Sequence, residues 1–124
     1  MQKFKYDGCT TLEEFKAAQF NAIDYKTSVL IGAGFTFDSK QFSLSPPAQI
    51  NWQAIKGNKP DFTFPLELTT LDNDTYSLTD ANVQNFWNAG KTTLKGHLDA
   101  GRALKKTVFD ATTIEEVQAI VDAR

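Results

Sequence analysis

Gly90-Lys91-Thr92 has the residue types that close a phosphate-binding P-loop. That motif also needs a glycine where this chain has Asn85, and it needs a loop that joins a strand to a helix. Because Gly90 lies within a helical pattern, we predict that it allows another helix to approach closely. Gly32-Ala33-Gly34 resembles the start of a dinucleotide fingerprint, but Phe37 stands at the third glycine position, which favours a tight turn. No cofactor site is predicted.

Metal binding and nucleophilic catalysis have few candidate side chains. His97 is the only histidine and Cys9 the only cysteine, so we interpret His97 as a packed, hydrogen-bonded residue. Asp72-Asn73-Asp74 has calcium-binding residue types, but Tyr76 and Ser77 stand where the loop needs a further oxygen ligand and a glycine. A hairpin turn explains these acids better. The sequence therefore predicts no catalytic residue and no metal site.

Basic residues recur along one side of the same helical stretch. We interpret them as a solvated helix face, interleaved with Asp99, because the formal net charge of the chain is −2. A nucleic-acid-binding protein is usually clearly basic, so we expect no nucleic-acid partner. The stripe consists of Lys91, Lys95, Arg102 and Lys106.

Aromatic residues are more abundant than a small domain easily buries. The chain has 10 Phe, 2 Trp and 3 Tyr in 124 residues. Large aromatic side chains anchor protein interfaces, and glycines in an apolar helix face permit close helix approach. The candidate interface residues are Trp52, Phe62, Phe64, Trp87, Gly90 and Gly101.

The length and composition predict a single domain over residues 1–124. One cysteine allows no internal disulfide, as expected for a protein folded in a reducing cytoplasm. No segment approaches the roughly 20 apolar residues that cross a bilayer. The first residues contain no apolar signal core, so we expect neither a membrane partner nor secretion.

The chain is organised around a long helix predicted over Thr79–Phe109. Thr79 offers an N-cap hydroxyl and Asp80 a carboxylate in the first turn. Apolar and small residues then recur at steps of three and four, which is one helix face. This face comprises Val83, Phe86, Gly90, Leu94, His97, Gly101, Leu104 and Val108.

Shorter helices are predicted at both ends. Thr11-Leu12-Glu13-Glu14 is a capping box that begins the first helix, within an N-terminal helical segment over residues 1–33. Val29-Leu30-Ile31 either ends this helix or begins a strand. The sequence leaves open whether the helix packs on its own domain or on a neighbour. Thr113-Ile114-Glu115-Glu116 is a second capping box, and the helix that it begins is predicted to reach Arg124.

Two β-hairpins precede the long helix. Phe35 and Phe37 alternate with polar residues, as do Phe42 and Leu44 beyond a turn at residues 38–40. Ser45-Pro46-Pro47 then predicts a short helix that carries Ile50, Trp52 and Ile55. The second hairpin joins residues 64–68 to residues 76–78. The fold class is therefore α+β, in which small antiparallel hairpins pack with a long central helix and shorter terminal helices. Residues 34–124 are predicted to form one module, whose elements are in order a hairpin, a helix, a second hairpin, the long helix and a short helix.

Several of these segments together resemble a small uncharacterised domain of bacteriophage tail-fibre and tail-associated structural proteins. The resemblance covers about Phe35 to Asp122. It is carried by a hairpin that enters a long helix and by the residues that follow that helix. These segments are Gly34–Asp38, the helix with Ile50, Leu71–Asp74, Ser77–Ala81, Leu104-Lys105-Lys106 and Ala111–Val117.

The resemblance implies a non-enzymatic structural component of a phage tail, as a tail-fibre, baseplate or assembly-adaptor protein. Its partners would be other tail proteins, copies of itself in a ring or trimer, or both. It would be assembled in the bacterial cytoplasm and located in the virion, with no small-molecule substrate. One alternative is a small phage-encoded protein that inhibits or redirects a host protein. Another is a small-molecule enzyme with a polar pocket near His97.

Overall fold

A computed structural model describes residues 5–124. It confirms the α+β fold, with a long helix and two antiparallel hairpins. The helices of the described part are α1 (Leu12–Gly32), α2 (Pro46–Gly57), α3 (Val83–Asp110) and α4 (Ile114–Ala119). The strands are β1 (Phe35–Phe37), β2 (Lys40–Phe42), β3 (Leu66–Thr69) and β4 (Thr75–Leu78). Pairing of β1 with β2 and of β3 with β4 gives two two-stranded sheets.

The described residues group into two compact units. The helical unit comprises the described residues up to Val29 together with His97–Arg124, and the hairpin unit comprises Leu30–Gly96. The sequence predicted one domain with an N-terminal segment ending at residue 33. The structure groups most of α1 with the end of α3 and with α4.

The helical unit is built on a small aliphatic core. Buried Ile23 of α1 packs in one cluster with Val108, Ala111 and Val117. Gln19, which is also buried, donates from Nε2 to the carbonyls of Val117 and Ile120, both at 3.0 Å. The first helix therefore packs on its own chain, and Val29-Leu30-Ile31 ends the helix instead of beginning a strand.

Both predicted capping residues are confirmed, and the first capping box is complete. Glu14 N–H donates to the Thr11 hydroxyl at 3.2 Å, and a Glu14 carboxylate oxygen accepts from Thr11 N–H at 3.0 Å. At α4 the Thr113 hydroxyl accepts from Glu116 N–H at 3.1 Å, but the Glu116 carboxylate accepts from the Thr112 hydroxyl at 2.8 Å and not from Thr113 N–H. These bonds satisfy N–H groups that the first helical turn leaves without partners.

The predicted end of the last helix is wrong. The helix α4 stops at Ala119, because Ile120 takes an extended conformation and its N–H donates to the Val117 carbonyl. Arg124 then donates from its guanidinium to the carbonyls of Ile23 and His97, at 3.1 and 3.3 Å. These contacts hold the last residues in a course that a continuing helix would not follow.

The hairpin unit has an aromatic core. Phe35 and Phe42, directly opposite each other in the first hairpin, are both buried with Phe86 of α3. Asp38 and Ser39 have positive φ angles of 52° and 62°, which gives the two-residue turn that matches strand twist. The second hairpin turns through Asn73, whose φ is 63°. Both hairpins confirm the sequence prediction, except that β2 begins at Lys40, within the predicted turn, and β3 begins at Leu66 and not at residue 64.

The start of the long helix differs from the prediction. A 3₁₀ turn, Asp80–Asn82, precedes α3, and Thr79 makes no capping bond with its side chain. Its backbone carbonyl accepts from Asn82 N–H at 3.0 Å instead, so the 3₁₀ turn replaces the predicted cap. The predicted apolar face of α3 is confirmed, since its members are buried or partly buried.

Candidate protein-interaction clefts beside helix α2

Helix α2 carries the tryptophan on which the candidate site depends. The Ser45 hydroxyl accepts from Ala48 N–H at 3.3 Å, and Pro46 occupies the first helical position, so local chemistry fixes the start of α2. Trp52 then meets Phe35 and Phe86 edge to face, with ring centroids 5.1 and 5.3 Å apart. Ile50, on the same helix, is 66% exposed. Trp52 is thereby fixed by the aromatic core while part of its surface faces two clefts.

The larger cleft, which we call the α2–β3 cleft, has a volume of about 440 Å³. Its walls are mainly apolar and include Trp52, Ile55, Phe62 and Leu68. Glu67 is the only charged residue among the described residues that line it. The complete lining is Phe42, Ser43, Ala48, Asn51, Trp52, Ala54, Ile55, Phe62, Leu66, Glu67, Leu68 and Thr69.

A smaller groove, the α2–α3 groove, lies on another side of Trp52 and has a volume of about 190 Å³. Trp87 and Leu94 of α3 contribute to its walls, and the Lys56 ammonium lies 5.7 Å from the Trp87 ring centroid. A Cβ added at Gly90 would lie 3.3 Å from Phe35 and 3.4 Å from Trp52. The absence of a side chain at Gly90 therefore lets both rings pack close to α3.

The predicted interface residues fall into distinct environments. Trp52 and Phe62 line the α2–β3 cleft, and Trp87 with Gly90 lines the groove. Phe64 is partly buried against the aromatic core. Gly101 belongs to the helical unit, where an added Cβ would lie 2.7 Å from Thr27 Oγ1 and 3.3 Å from Arg124 Nη1. The space beside each glycine is thus taken by side chains of the same chain, although a partner contact there stays a prediction.

The sequence prediction missed the β3 wall of the larger cleft. Leu66 and Leu68 were included only within the predicted strand over residues 64–68, and Asn51 and Ala48 were not singled out. The signal was present in the alternation of Leu66 and Leu68 with Glu67 and Thr69. What the sequence lacked was the information that α2 lies beside this strand.

The residues considered for metal binding or catalysis make contacts within their own unit. His97 is partly buried, and its backbone carbonyl accepts from Arg124. A hydrogen bond from the Thr70 hydroxyl lowers the pKa of Asp72, and one from Lys40 at 2.9 Å lowers the pKa of Asp74. Within residues 5–124, no group of three or more His, Cys, Asp or Glu side chains is arranged to hold a metal ion.

Comparison with known proteins gives a family but no named relative. A family model described as "Domain of unknown function (DUF4376)" matches residues 14–122, which is most of the chain. The chain belongs to this family. No curated protein and no solved structure matches the chain. This member of the DUF4376 family has no helix, in its described part, with the length and apolar character of a membrane span.

Proposed function

We propose that this protein is a non-enzymatic structural component of a bacteriophage tail that acts through protein–protein contacts. The role would be that of a tail-fibre, baseplate or assembly-adaptor protein, assembled in the host cytoplasm and carried in the virion. The sequence resemblance described above supports the tail assignment. The observation that supports a function in protein–protein contact, which we call the contact function, is the mainly apolar α2–β3 cleft, with Trp52 and Phe62 in its walls.

The shape and lining of this cleft suit a protein partner. Buried aromatic anchors contribute most of the binding energy at many protein interfaces. Trp52 is already fixed by Phe35 and Phe86, so a partner would not have to order its side chain on binding. Other tail proteins and further copies of this chain are the partners that we propose.

Site-specific photo-crosslinking during infection tests this function. A photoreactive phenylalanine analogue is placed at Phe62, which lines the cleft, and in a matched protein at the exposed Ile50 of α2. We expect the Phe62 position to crosslink to a tail protein or to another copy of the chain, and Ile50 to do so much less. Mass spectrometry of purified virions should also detect the chain.

Two outcomes would contradict the proposal. Absence of the chain from virions, together with a Phe62 crosslink to a host protein, would favour the inhibitor of a host protein. Equal crosslinking from Phe62 and Ile50 would remove the α2–β3 cleft as the contact surface.

A further inference from the structure

The outer edge of β3 presents backbone groups to the α2–β3 cleft. In the second hairpin Leu68 lies opposite Tyr76, and Thr70 N–H donates to the Asp74 carbonyl at 2.9 Å. Hydrogen-bonded pairs alternate with non-bonded pairs along an antiparallel ladder. The backbone N–H and C=O groups of Glu67 and Thr69 therefore point away from β4.

A second strand edge, the outer edge of β2, lies beside the outer edge of β3. Phe37 and Lys40 flank the two-residue turn of the first hairpin, so the alternation directs the backbone groups of Gln41 away from β1. The Gln41 carbonyl accepts from Leu71 N–H at 2.9 Å. The two hairpins therefore meet edge to edge at this bond.

The strand edges separate immediately beyond that contact. Within residues 5–124, the Gln41–Leu71 bond is the only backbone hydrogen bond between the segments that form the two hairpins. Ser43 and Thr69, which would form the next hydrogen-bonded pair in a continuous antiparallel sheet, both line the α2–β3 cleft. The cleft thus lies where the two edges diverge, beside unpaired backbone donors and acceptors.

We propose that the α2–β3 cleft binds an extended segment of a partner protein, which adds to the edge of β3 as a further strand. This inference rests on the contact function proposed above and not on the tail assignment. Backbone bonds to Glu67 and Thr69 would fix the register of the added strand. Its alternate side chains would enter the apolar cleft against Trp52, Ile55 and Phe62.

Charge complementarity defines the partner segment further. Glu67 is exposed, lies on β3 and is the only charged residue among the described residues that line the cleft. A like charge opposite Glu67 would be unfavourable, whereas Lys or Arg at a directly opposite position would pair with it. The expected occupant is therefore an extended peptide with alternating apolar residues and a basic residue between them.

A random peptide library displayed on yeast and selected against the intact protein provides the probe. Backbone amide exchange is then measured by NMR with and without the best selected peptide. We expect slower exchange at the N–H groups of Glu67 and Thr69, and no change at Ser77 on the edge of β4. The selected peptides should alternate apolar and polar residues and carry Lys or Arg.

Two proline variants separate pairing at β3 from other modes of binding. Thr69→Pro removes an outward N–H from β3, whereas Ser77→Pro removes an equivalent N–H from the opposite edge of the same hairpin. Ser77→Pro also removes the hydroxyl that donates to Glu67, so Ser77→Ala is compared with it. We expect binding by Thr69→Pro to be at least about tenfold weaker and binding by Ser77→Pro to stay within about twofold of the parent. N-methylation of those peptide amides that face β3 should weaken binding to the unaltered protein as well.

The proposal fails if the selection yields no binder, if protection appears at Ser77 instead, or if N-methylation at every position has no effect. The failure of strand addition and that of the contact function are distinguishable. If Phe62 crosslinks to a partner during infection while Thr69→Pro binds and assembles like the parent, the contact function stands and strand addition is wrong.

Discussion

The two units of the chain have cores of different chemistry. The helical unit buries aliphatic side chains, namely those of Ile23, Val108, Ala111 and Val117. The hairpin unit has a core of aromatic rings, several of which meet nearly at right angles: Phe86 crosses Phe42 at 87° and Trp52 at 88°. Edge-to-face contacts of this kind hold rings rigidly and favourably.

This contrast accounts for the location of the candidate site. Aliphatic side chains of the helical unit are small, and buried Gln19 satisfies two backbone carbonyls beside them. Large rigid rings cannot all be enclosed within the hairpin unit, so Trp52 stays only partly buried and lines two clefts. The rigid aromatic core therefore holds Trp52 in place beside both clefts, whereas the apolar side chains that the helical unit exposes, such as Tyr25 and Phe109, lie outside its buried core.

Truncation of one ring tests the difference between the cores most strongly. Phe86→Ala removes a buried ring that contacts Phe35, Phe42 and Trp52, and should lower the free energy of unfolding by about 3–5 kcal/mol. Val108→Ala, at an equally buried site of the helical unit, should cost about 1–3 kcal/mol because fewer atoms are lost. Urea unfolding measures both, and equal losses would contradict the contrast.

Removal of the polar bridge tests the helical unit separately. Gln19→Ala leaves the Ile120 carbonyl without this donor and the Val117 carbonyl with only the bond from Ile120 N–H, and it should lower the free energy of unfolding by about 1–3 kcal/mol. Asn21→Ala, at an exposed position of the same helix, is the control and should change stability by less than about 0.5 kcal/mol. A loss at Gln19 no greater than at Asn21 would show that the bridge contributes nothing.

Alanine substitutions at three glycines of α3 compare the local packing at three positions of one helix. Gly96→Ala meets no neighbour within 4 Å and should stabilise the protein by about 0.5–1 kcal/mol through helix propensity. Gly101→Ala should lose this gain, because the new Cβ displaces Thr27 Oγ1, which accepts from Arg124 at 2.8 Å. Gly90→Ala requires rigid rings to shift by a few tenths of an ångström and should fall between them. Thermal unfolding gives the order.

Acid should affect both units through different carboxylates. The pKa of Glu14 lies below its ordinary value of 4.5. The main cause is a hydrogen bond that its carboxylate accepts from the backbone N–H of Thr10, followed by one from the Thr10 hydroxyl. The stabilising effect of Glu14 is complete above the ordinary value and is lost as pH falls through the lowered folded pKa. Glu14→Gln should therefore reduce stability at pH 7 and weaken its dependence on pH below about 4.5.

Two further variants complete the acid experiment. Asp74→Asn should have the same effect in the hairpin unit, because the hydrogen bond from Lys40 lowers the pKa of Asp74. Asn21→Ala, which removes no carboxylate, is the control and should leave the pH dependence of unfolding as in the parent. Chemical denaturation across the acid range measures all three, and an unchanged profile for Glu14→Gln would contradict the prediction.

The sequence by itself determined the features that depend on nearby residues. The capping residues Thr11 and Thr113 were predictable because donor and acceptor are three residues apart, and the apolar face of α3 follows from helix periodicity. The turn at Asp38 was equally predictable from local residue preferences. The candidate site was foreseen in part, through the surplus of aromatic residues that included Trp52 and Phe62.

Only the tertiary structure decided which distant segments meet. Gln19 bonds to carbonyls 98 and 101 residues away, and the course of the last residues depends on contacts from Arg124 to α1 and α3. The divergence of the strand edges beyond the Gln41–Leu71 bond likewise follows from packing between separate hairpins. Periodicity and capping report interactions within a few residues, so they cannot specify partners brought together by burial of apolar surface across the chain.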